Sequence, residues 1–390
     1  MRLDRLKLHL NSPWQPCLVA MIANLALVLT RLAVRGNDPS IFVTAGDFFV
    51  DRQSAPASLS ILNDSFGYDG QFYYRLALDP LTSEHTAFGI TLDAPEVRQQ
   101  RITYPIVVAI LSFGRADLVP IMLIAVNLLA LGAIGYLGGL WVKSIGQSAL
   151  WGVVFPLYTG FQFSLARDLT EILAIGLLLT SLYLARLARS RAATGLLVLA
   201  VLTRETTVAV ALAAAMIYFF GLITKKKAMV EFKWYYFAIP IAVYAAWQLT
   251  LYSRWGALPI TVSSQFNVGR PFIGLVQFGL KGLGVGTPFN LRGFGELGLV
   301  LSMFFLPALA WRTSTARPSE KLAWLLLALL AVNFASGVTD EDISLLRVLA
   351  DLFLFSAIVV FNSPSKIRWL FGGFSVVMWI VSFQYAVNLY

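Results

Sequence analysis

Cysteine, histidine and charged residues are scarce in this chain. Cys17 is the only cysteine among 390 residues, and His9 and His85 are the only histidines. A single thiol excludes an intramolecular disulfide and a cysteine-based metal site, and two histidines exclude a His-rich zinc centre. Charged residues make up 13% of the sequence, whereas soluble domains carry about 25%. This scarcity of charge excludes an ordinary soluble domain.

The chain contains long apolar runs that lack charged residues. Apolar residues make up 58% of the chain, and the mean hydropathy is +0.72. About 20 apolar residues in a helix cross a hydrocarbon core of roughly 30 Å, and runs of about that length recur along the sequence. The runs lack the alternation that is typical of barrel strands. The sequence therefore predicts an all-α, polytopic membrane bundle, with residues 1–390 in one integral membrane domain.

The apolar runs predict about eleven crossings and one re-entrant segment. The re-entrant segment is 103–113, because about 11 residues at ~1.5 Å each are too short to cross. Two longer outer connections are predicted, 35–102 with short interfacial helices at 69–78 and 94–101, and 254–295 with an amphipathic piece at 272–283. The predicted crossings are 16–34, 118–142, 149–164, 172–187, 192–202, 207–223, 234–252, 296–311, 322–337, 343–361 and 369–389.

The net charge of +9 is unevenly distributed. Six basic connections together hold 16 Lys/Arg and 3 Asp/Glu, and the remaining residues hold 14 and 18. The positive-inside rule places the basic connections in the cytoplasm, so the charge does not indicate nucleic acid. An inner-membrane protein is predicted, with its N-terminus cytoplasmic and its C-terminus periplasmic. The basic connections are 1–14, 143–148, 186–191, 225–233, 312–321 and 363–368.

The first outer connection, 35–102, contains the stretch Gly67-Tyr68-Asp69-Gly70-Gln71-Phe72-Tyr73-Tyr74 and nine of the 21 acidic residues. A connection this long is usually functional. Tyr68 and Tyr73 can stack on a sugar ring or belong to an interfacial aromatic belt. A belt alone does not require Asp69 and Gln71. The two glycines beside Asp69 permit a tight backbone and close approach of a substrate.

Two carboxylates are candidates for a general base. Asp47 follows the first apolar run by about a dozen residues, and its alternative role is that of a solvated loop residue or helix cap. Asp69 is the second candidate. The acidic run 340–342 offers oxygen ligands for a divalent metal, but such a run is usually solvated. We expect no metal and no other cofactor.

Ionisable residues gather near the predicted outer ends of the apolar runs. Burying such a group at the centre of a membrane helix costs roughly 2.5–3.5 kcal/mol, so each is a functional candidate. Arg167 with Glu171, and Arg347 with Asp351, can instead pair on one helix face because they are four residues apart. Arginine also binds phosphate through two parallel hydrogen bonds. The group comprises Arg101, Arg167, Asp168, Glu171, Arg204, Glu205, Arg347 and Asp351.

Four motifs together resemble a bacterial family of multi-pass membrane proteins that is linked to cell-surface glycopolymer formation. That family is similar to the GT-C superfamily of glycosyltransferases. The resemblance covers residues 27–223, and it extends into the C-terminal third only through Arg347. The motifs are Tyr68-Asp69-Gly70-Gln71-Phe72-Tyr73-Tyr74 with Ala77-Leu78-Asp79-Pro80, Gln100-Arg101-Ile102-Thr103-Tyr104-Pro105, Arg167-Asp168-Leu169-Thr170-Glu171 and Leu202-Thr203-Arg204-Glu205-Thr206.

The resemblance implies a GT-C-like enzyme that uses a polyprenyl-phosphate sugar as donor. Its acceptor would be a glycan, a glycolipid or a protein at the periplasmic face. A catalytic carboxylate is expected in the first outer loop, where Asp47 matches best and Asp69 is the alternative. The sequence Asp47-Phe48-Phe49 departs from the Asp-x-Asp pattern, which argues against a metal requirement. The expected substrate-binding residues are Tyr68, Gln71, Tyr73, Arg101, Tyr104, Arg167, Asp168, Glu171, Arg204, Glu205 and Arg347.

Two other functions agree with the same composition. A transporter or flippase of a lipid-linked saccharide also places arginines in a membrane cavity, although such proteins often contain pseudo-symmetric halves. A non-catalytic subunit of a glycopolymer assembly complex is the second alternative. The long acidic connection favours the enzyme.

Overall fold

The computed structural model describes residues 11–286, 288–339, 342–364 and 366–389. The α-helices of these ranges are α1 (Trp14–Val34), α2 (Gly70–Leu78), α3 (Pro95–Gln99), α4 (Thr103–Ser112), α5 (Val119–Ser144), α6 (Thr159–Ala166), α7 (Glu171–Arg186), α8 (Ser190–Thr203), α9 (Val208–Ile223), α10 (Tyr235–Trp255), α11 (Pro259–Asn267), α12 (Ile273–Gly282), α13 (Leu291–Ala310), α14 (Pro318–Ala331), α15 (Ser336–Thr339), α16 (Asp342–Val348), α17 (Ala350–Phe361) and α18 (Ile367–Asn388). Short 3-10 helices cover Pro39–Phe42, Ala149–Val154, Glu205–Thr207 and Lys227–Met229.

Strands are few and short. Strand β1 (Ala45–Gly46) pairs in parallel with β2 (Ile61–Leu62), and β3 (Thr86–Ala87) pairs antiparallel with β4 (Ile90–Thr91). All four lie in the connection between α1 and α4, so the strands serve this connection and the bundle itself is helical.

Five helices of the described ranges are long and apolar enough to cross a membrane. Their exposed surfaces are apolar: α1 turns Ile22 and Leu29 outward, and it buries Asn24 and Arg31. This inverted pattern identifies an all-α membrane protein, because lipid accepts apolar side chains and polar groups must find partners inside. The five helices are Trp14–Val34, Val119–Ser144, Glu205–Ile223, Leu291–Ala310 and Ile367–Asn388.

The buried Arg31 shows how the bundle satisfies a charge inside a span. Its Nη1 donates hydrogen bonds to the carbonyl oxygens of Ala386, Val387 and Leu389 at 3.3, 3.0 and 2.6 Å. These carbonyls lie at the C-terminal end of α18, where the helix leaves acceptors unpaired and carries partial negative charge. Arg31 therefore fixes the last helix to the first.

Helices α1 and α5 approach closely through small residues. A Cβ at Gly135 would lie 2.6 Å from the carbonyl oxygen of Pro16, and one at Gly132 would lie 2.8 Å from Sδ of Met21. Small residues at such positions are typical of packed membrane helices, since they let the backbones meet.

Three predicted crossings are broken. Residues 322–337 lie in α14 and α15, and residues 332–335 between these helices are not helical. Residues 149–164 form a 3-10 helix and then α6, because Pro156 between them lacks the N–H that would continue a helix. Residues 343–361 lie in α16 and α17, which meet at Leu349. Near this break the carbonyls of Arg347 and Val348 accept hydrogen bonds from Arg204.

The connection 35–102 folds around a hydrophobic cluster of its own. Val43, Val50, Phe72 and Ile90 are buried there together with residues of α4 and α5. The helices predicted at 69–78 and 94–101 are observed as α2 and α3, and the short helix at 103–113 as α4. The connection is therefore an ordered unit on one end of the bundle, able to hold side chains in fixed positions.

Candidate functional site

A cavity of about 620 Å3 lies where the connection 35–102 meets the helices. Part of its wall is charged and part is apolar. The charged side chains are Asp69, Asp93, Arg98, Arg101, Arg204, Glu205 and Arg347. The apolar side chains include Val208, Ile260, Phe266, Leu330, Phe334 and Val338. This combination of ionic groups and a hydrophobic surface suits an amphiphilic ligand.

Asp69 is the carboxylate that the connection 35–102 delivers to the cavity, just before α2. Its Oδ1 lies 2.8 Å from Nη1 of Arg98, and its Oδ2 lies 3.2 Å from Nη2 of Arg347. Burial raises the pKa of a carboxyl group, but the two guanidinium groups outweigh it and hold the pKa of Asp69 well below its usual range. Asp69 is therefore ionised at neutral pH.

The glycines beside Asp69 allow close contact with the chain's own backbone. A Cβ at Gly70 would lie 2.5 Å from the carbonyl oxygen of Arg167 and 2.7 Å from that of Val43. Gly67 has a φ of +63°, in the left-handed region that favours glycine. The space beside these glycines, where a substrate was expected to approach, is filled by the protein's own backbone. This packing fixes the position of Asp69.

Arg347 connects Asp69 to the buried start of α7. Its Nη1 lies 3.0 Å from Oε1 of Glu171, and the same oxygen lies 2.8 Å from Nη1 of Arg204. Arg204 also approaches Asp351, with Nε 3.5 Å from Oδ2. These pairs join segments that are far apart in the sequence and form one arginine–carboxylate network.

The alternative pairing of Arg347 with Asp351 on one helix face is not formed in the part of the chain that the structure describes. The two residues lie on different helices, α16 and α17, because the segment breaks at Leu349. The carboxylate of Asp351 instead accepts a hydrogen bond from Thr206 and pairs with Arg204. Arg347 forms ion pairs with Asp69 and Glu171.

Arg101 and Glu205 form a fork-to-fork ion pair at another part of the wall. Nε and Nη2 of Arg101 lie 3.0 and 2.6 Å from the two oxygens of Glu205. Nη1 of Arg101 donates a hydrogen bond of 3.0 Å to Oη of Tyr73, which is fully buried. Tyr73 therefore supports Arg101 from behind the cavity, and it does not offer an open face for a sugar.

Tyr68 packs against arginines. Its ring centre lies 3.9 Å from the guanidinium carbon of Arg167 and 5.1 Å from that of Arg347. Its Oη is hydrogen-bonded to Oγ of Ser344 at 3.0 Å. Such cation–π contacts add an attraction between the ring of Tyr68 and each guanidinium group.

Gln71 and Tyr104 have structural partners. The amide of Gln71 donates to the carbonyl of Phe66 at 2.8 Å and accepts from the N–H of Gly46 at 3.1 Å. The hydroxyl of Tyr104 donates to the carbonyl of Leu123 at 3.0 Å. Both side chains are buried. Neither belongs to the cavity wall as the described residues define it, so their expected contact with substrate is not supported.

Asp168 is also enclosed. It adopts a φ of +51°, and within the described ranges neither carboxylate oxygen has a hydrogen-bond partner. The structure therefore separates Asp168 from Glu171, although both belong to one sequence motif. Glu171 joins the network behind the cavity, whereas Asp168 makes no hydrogen bond to it within the described ranges.

Asp47 lies in a turn of the connection 35–102, outside the described cavity wall. Its oxygens accept hydrogen bonds from the N–H groups of Ser65 and Asp64 at 3.0 and 3.1 Å. The bond from Ser65 is the main cause that lowers the pKa of Asp47. These contacts fix the turn that follows β2. The geometry thus favours Asp69 over Asp47 for work inside the cavity.

Arg98 and Asp93 line the cavity, although sequence reasoning did not single them out. Nε and Nη2 of Arg98 donate to the two oxygens of Asp93 at 2.8 and 2.7 Å. One signal was available: Arg98 precedes Arg101 by three residues in a predicted helix, and residues at that spacing share a face.

The described residues contain no group of three or more His, Cys, Asp or Glu that would hold a metal ion. Asp340 and Glu341 of the acidic run 340–342 lie outside the described ranges. No family model, no curated protein and no solved structure matches this chain. Its function is therefore argued from the cavity.

Proposed function

We propose that this protein is a GT-C-type glycosyltransferase that transfers a sugar from a polyprenyl-phosphate donor to a cell-envelope acceptor. One observation carries the proposal: the cavity brings the ionised carboxylate of Asp69 beside several arginines and opposite an apolar wall. A base, an anion site and a lipid surface are what this reaction requires. The setting would be the bacterial inner membrane, with the cavity open to the periplasm.

The donor would place its phosphate against the arginines and its lipid against the apolar wall. Of the two arginines that contact Glu171, Arg347 is the better placed for the phosphate, because its side chain is 13% exposed while that of Arg204 is 2% exposed. Nε of Arg347 is buried and has no hydrogen-bond partner within the described ranges, so a phosphate would engage Nη1 or Nη2, which contact Glu171 and Asp69. Arg204 would support Arg347 through the oxygen of Glu171 that both contact.

The reaction forms a glycosidic bond, breaks the bond between sugar and phosphate, and moves one proton. The acceptor hydroxyl oxygen attacks the anomeric carbon of the sugar, and its proton passes to Asp69. The bond between that carbon and the phosphate oxygen breaks, and the electron pair leaves with polyprenyl phosphate. Arg347 and Arg204 would stabilise the charge that develops on the phosphate.

Asp69 needs a higher proton affinity than it has in the substrate-free protein. Its low pKa results partly from the charge of Arg347. A phosphate that engages Arg347 withdraws this charge from Asp69, and the proton affinity of the carboxylate then rises. Donor binding would thereby activate the base.

The GT-C-like arrangement with about eleven crossings belongs to the same proposal. The uneven distribution of basic residues supports a cytoplasmic N-terminus and a periplasmic C-terminus. The segment 149–166 would cross as a broken helix, since a proline interrupts it.

Purified protein and a panel of synthetic polyprenyl-phosphate sugars test the proposal. The expected result is release of polyprenyl phosphate and labelled sugar on an envelope acceptor, lost in Asp69→Asn and kept in Asp117→Asn. Asp117 pairs with Arg115 on the surface and is a matched control. Movement of intact donor across proteoliposomes without transfer would indicate a flippase. Donor binding with neither activity would indicate a non-catalytic subunit.

A further inference from the structure

The two oxygens of Asp69 contact two arginines that differ in how firmly their own side chains are held. Arg347 is shared between Asp69 and Glu171, so it keeps one carboxylate partner when it releases the other. Arg98 directs Nη1 to Oδ1 of Asp69 at 2.8 Å and uses Nε and Nη2 on Asp93. All three guanidinium nitrogens of Arg98 therefore contact a carboxylate.

Arg98 is held on three sides. Its two bonds to Asp93 are bidentate, which fixes the plane of the guanidinium group. The ring of Phe72 lies 4.6 Å from its central carbon. Its backbone N–H donates to the carbonyl of Ala94 at 2.9 Å, and the amide of Ala94 donates to Asp93 at 2.7 Å. Arg98 and Asp93 therefore form one rigid unit at helix α3.

This rigidity matters because a phosphate that engages Nη2 of Arg347 competes with Oδ2 of Asp69 for it. When Arg347 turns to a ligand, Oδ2 of Asp69 is released and Oδ1 keeps its bond to Arg98. The carboxylate would then have one fixed oxygen and one oxygen open to an acceptor hydroxyl. A base needs this orientation, because displacement of about 1 Å can lower the rate by about 10²-fold.

We propose that Arg98, fixed by Asp93, is the positioning residue that orients the carboxylate of Asp69 toward the acceptor. The proposal rests on the transferase function stated above, and it assigns Arg98 no contact with the transferred sugar. Under this proposal Arg98 does not bind the donor phosphate. Its ion pair with Asp69 also does more than stabilise the fold.

Steady-state kinetics of three variants test this role. Arg98→Gln and Asp93→Asn should lower kcat by about 10²-fold and about 10-fold, with the KM for donor within about 2-fold of the original value. Arg98→Lys should recover part of kcat, because it keeps the charge but not the fork. Arg115→Gln, which breaks an exposed ion pair, should leave all parameters unchanged.

The pH profile separates positioning from stability. Loss of the Arg98 charge raises the proton affinity of Asp69, so the acidic limb of kcat/KM should move to higher pH in Arg98→Gln and less in Arg98→Lys. A stability role would lower the melting temperature without moving this limb. If Arg98→Gln does not fold, the kinetics and pH profiles of Arg98→Lys and Asp93→Asn test the role of Arg98.

Three outcomes would overturn the positioning role. A rise of about 10-fold or more in the KM for donor at unchanged kcat would make Arg98 a donor ligand. Unchanged kinetics and an unchanged pH profile in Arg98→Lys and Asp93→Asn would remove any role in the reaction. Lower melting temperature with an unmoved acidic limb would leave only stability. If Asp69→Asn also remains active, Asp69 is not the base and the proposed function fails as well. If Asp69→Asn is inactive, Asp69 remains the base and only the role of Arg98 is overturned.

Discussion

Nη2 of Arg347 lies 3.2 Å from Oδ2 of Asp69, so that a residue of the last third of the chain contacts the connection 35–102. The contact brings a potential phosphate ligand to a potential base. It also makes the two functions interdependent, because a ligand that takes Arg347 changes the charge around Asp69. The predictions below follow from this pair and from the groups that surround it.

Asp69→Asn should lower turnover by about 10²–10⁴-fold, since that is the usual contribution of general acid–base catalysis. Asp47→Asn should keep turnover within about 3-fold, because Asp47 fixes a turn outside the described cavity wall. Transfer assays on both variants, with donor affinity and melting temperature measured beside them, check this. An inactive but folded Asp47→Asn protein together with an active Asp69→Asn protein would reverse the assignment.

Arg347→Lys should weaken donor binding by about 10-fold, because lysine supplies the charge without the planar fork. The melting temperature should change little, since the charge beside Asp69 and Glu171 is kept. Asp351→Asn is the comparison: it removes a partner of Arg204 and should affect stability with donor affinity unchanged. Isothermal titration and thermal unfolding of both variants decide the matter. Equal loss of donor affinity in the two would contradict a specific role of Arg347.

The pH dependence follows from the lowered pKa of Asp69. Because the folded pKa lies below the unfolded value of about 3.9, ionised Asp69 contributes stability above about pH 4, and this contribution is lost as the pH falls through the folded value. The pH profile of kcat/KM reports ionisations of the free enzyme. Protonation of Asp69 should therefore not lower kcat/KM down to about pH 5. The profile of kcat should show its acidic limb at higher pH, because bound donor occupies Arg347. Coincident limbs would contradict activation by the donor.

Gly70→Ala should destabilise the protein by about 1–3 kcal/mol, the usual cost of overpacking. Its Cβ would meet two backbone carbonyls, those of Arg167 and Val43, which cannot move aside as a flexible side chain would. Gly195→Ala is a matched control, since nothing lies within 4 Å of a Cβ there. Thermal unfolding of both variants in detergent measures the difference. Equal melting temperatures would show that the backbone at Gly70 can relax.

The orientation of the chain is testable by cysteine labelling in a Cys17→Ser background. Gln53→Cys should react with an impermeant maleimide in intact cells, and Lys143→Cys and Lys226→Cys only after permeabilisation. All three positions are exposed, so access of the reagent depends on the side of the membrane. Labelling of Lys226→Cys in intact cells would place the cavity on the cytoplasmic side.

Composition and periodicity by themselves determined the class of this protein. Continuous apolar runs and scarce charge predict an all-α membrane protein, because lipid requires backbone hydrogen bonds to close within each segment. Short helices such as Gly70–Leu78 and Thr103–Ser112 were also predictable from local pattern. The broken segments 149–166 and 342–361 were not, because apolar composition alone does not show where a helix loses its hydrogen bonds.

Tertiary structure alone decided which ionisable residues meet. The spacing of four between Arg347 and Asp351 permits a pair on one helix face, yet the break at Leu349 places them on different helices, and Arg347 pairs with Asp69 and Glu171. Asp47 and Asp69 look alike in the sequence, and packing at Gly70 turns only Asp69 toward the described cavity wall. Ion pairs between distant segments depend on how helices pack, and no local pattern encodes that distance.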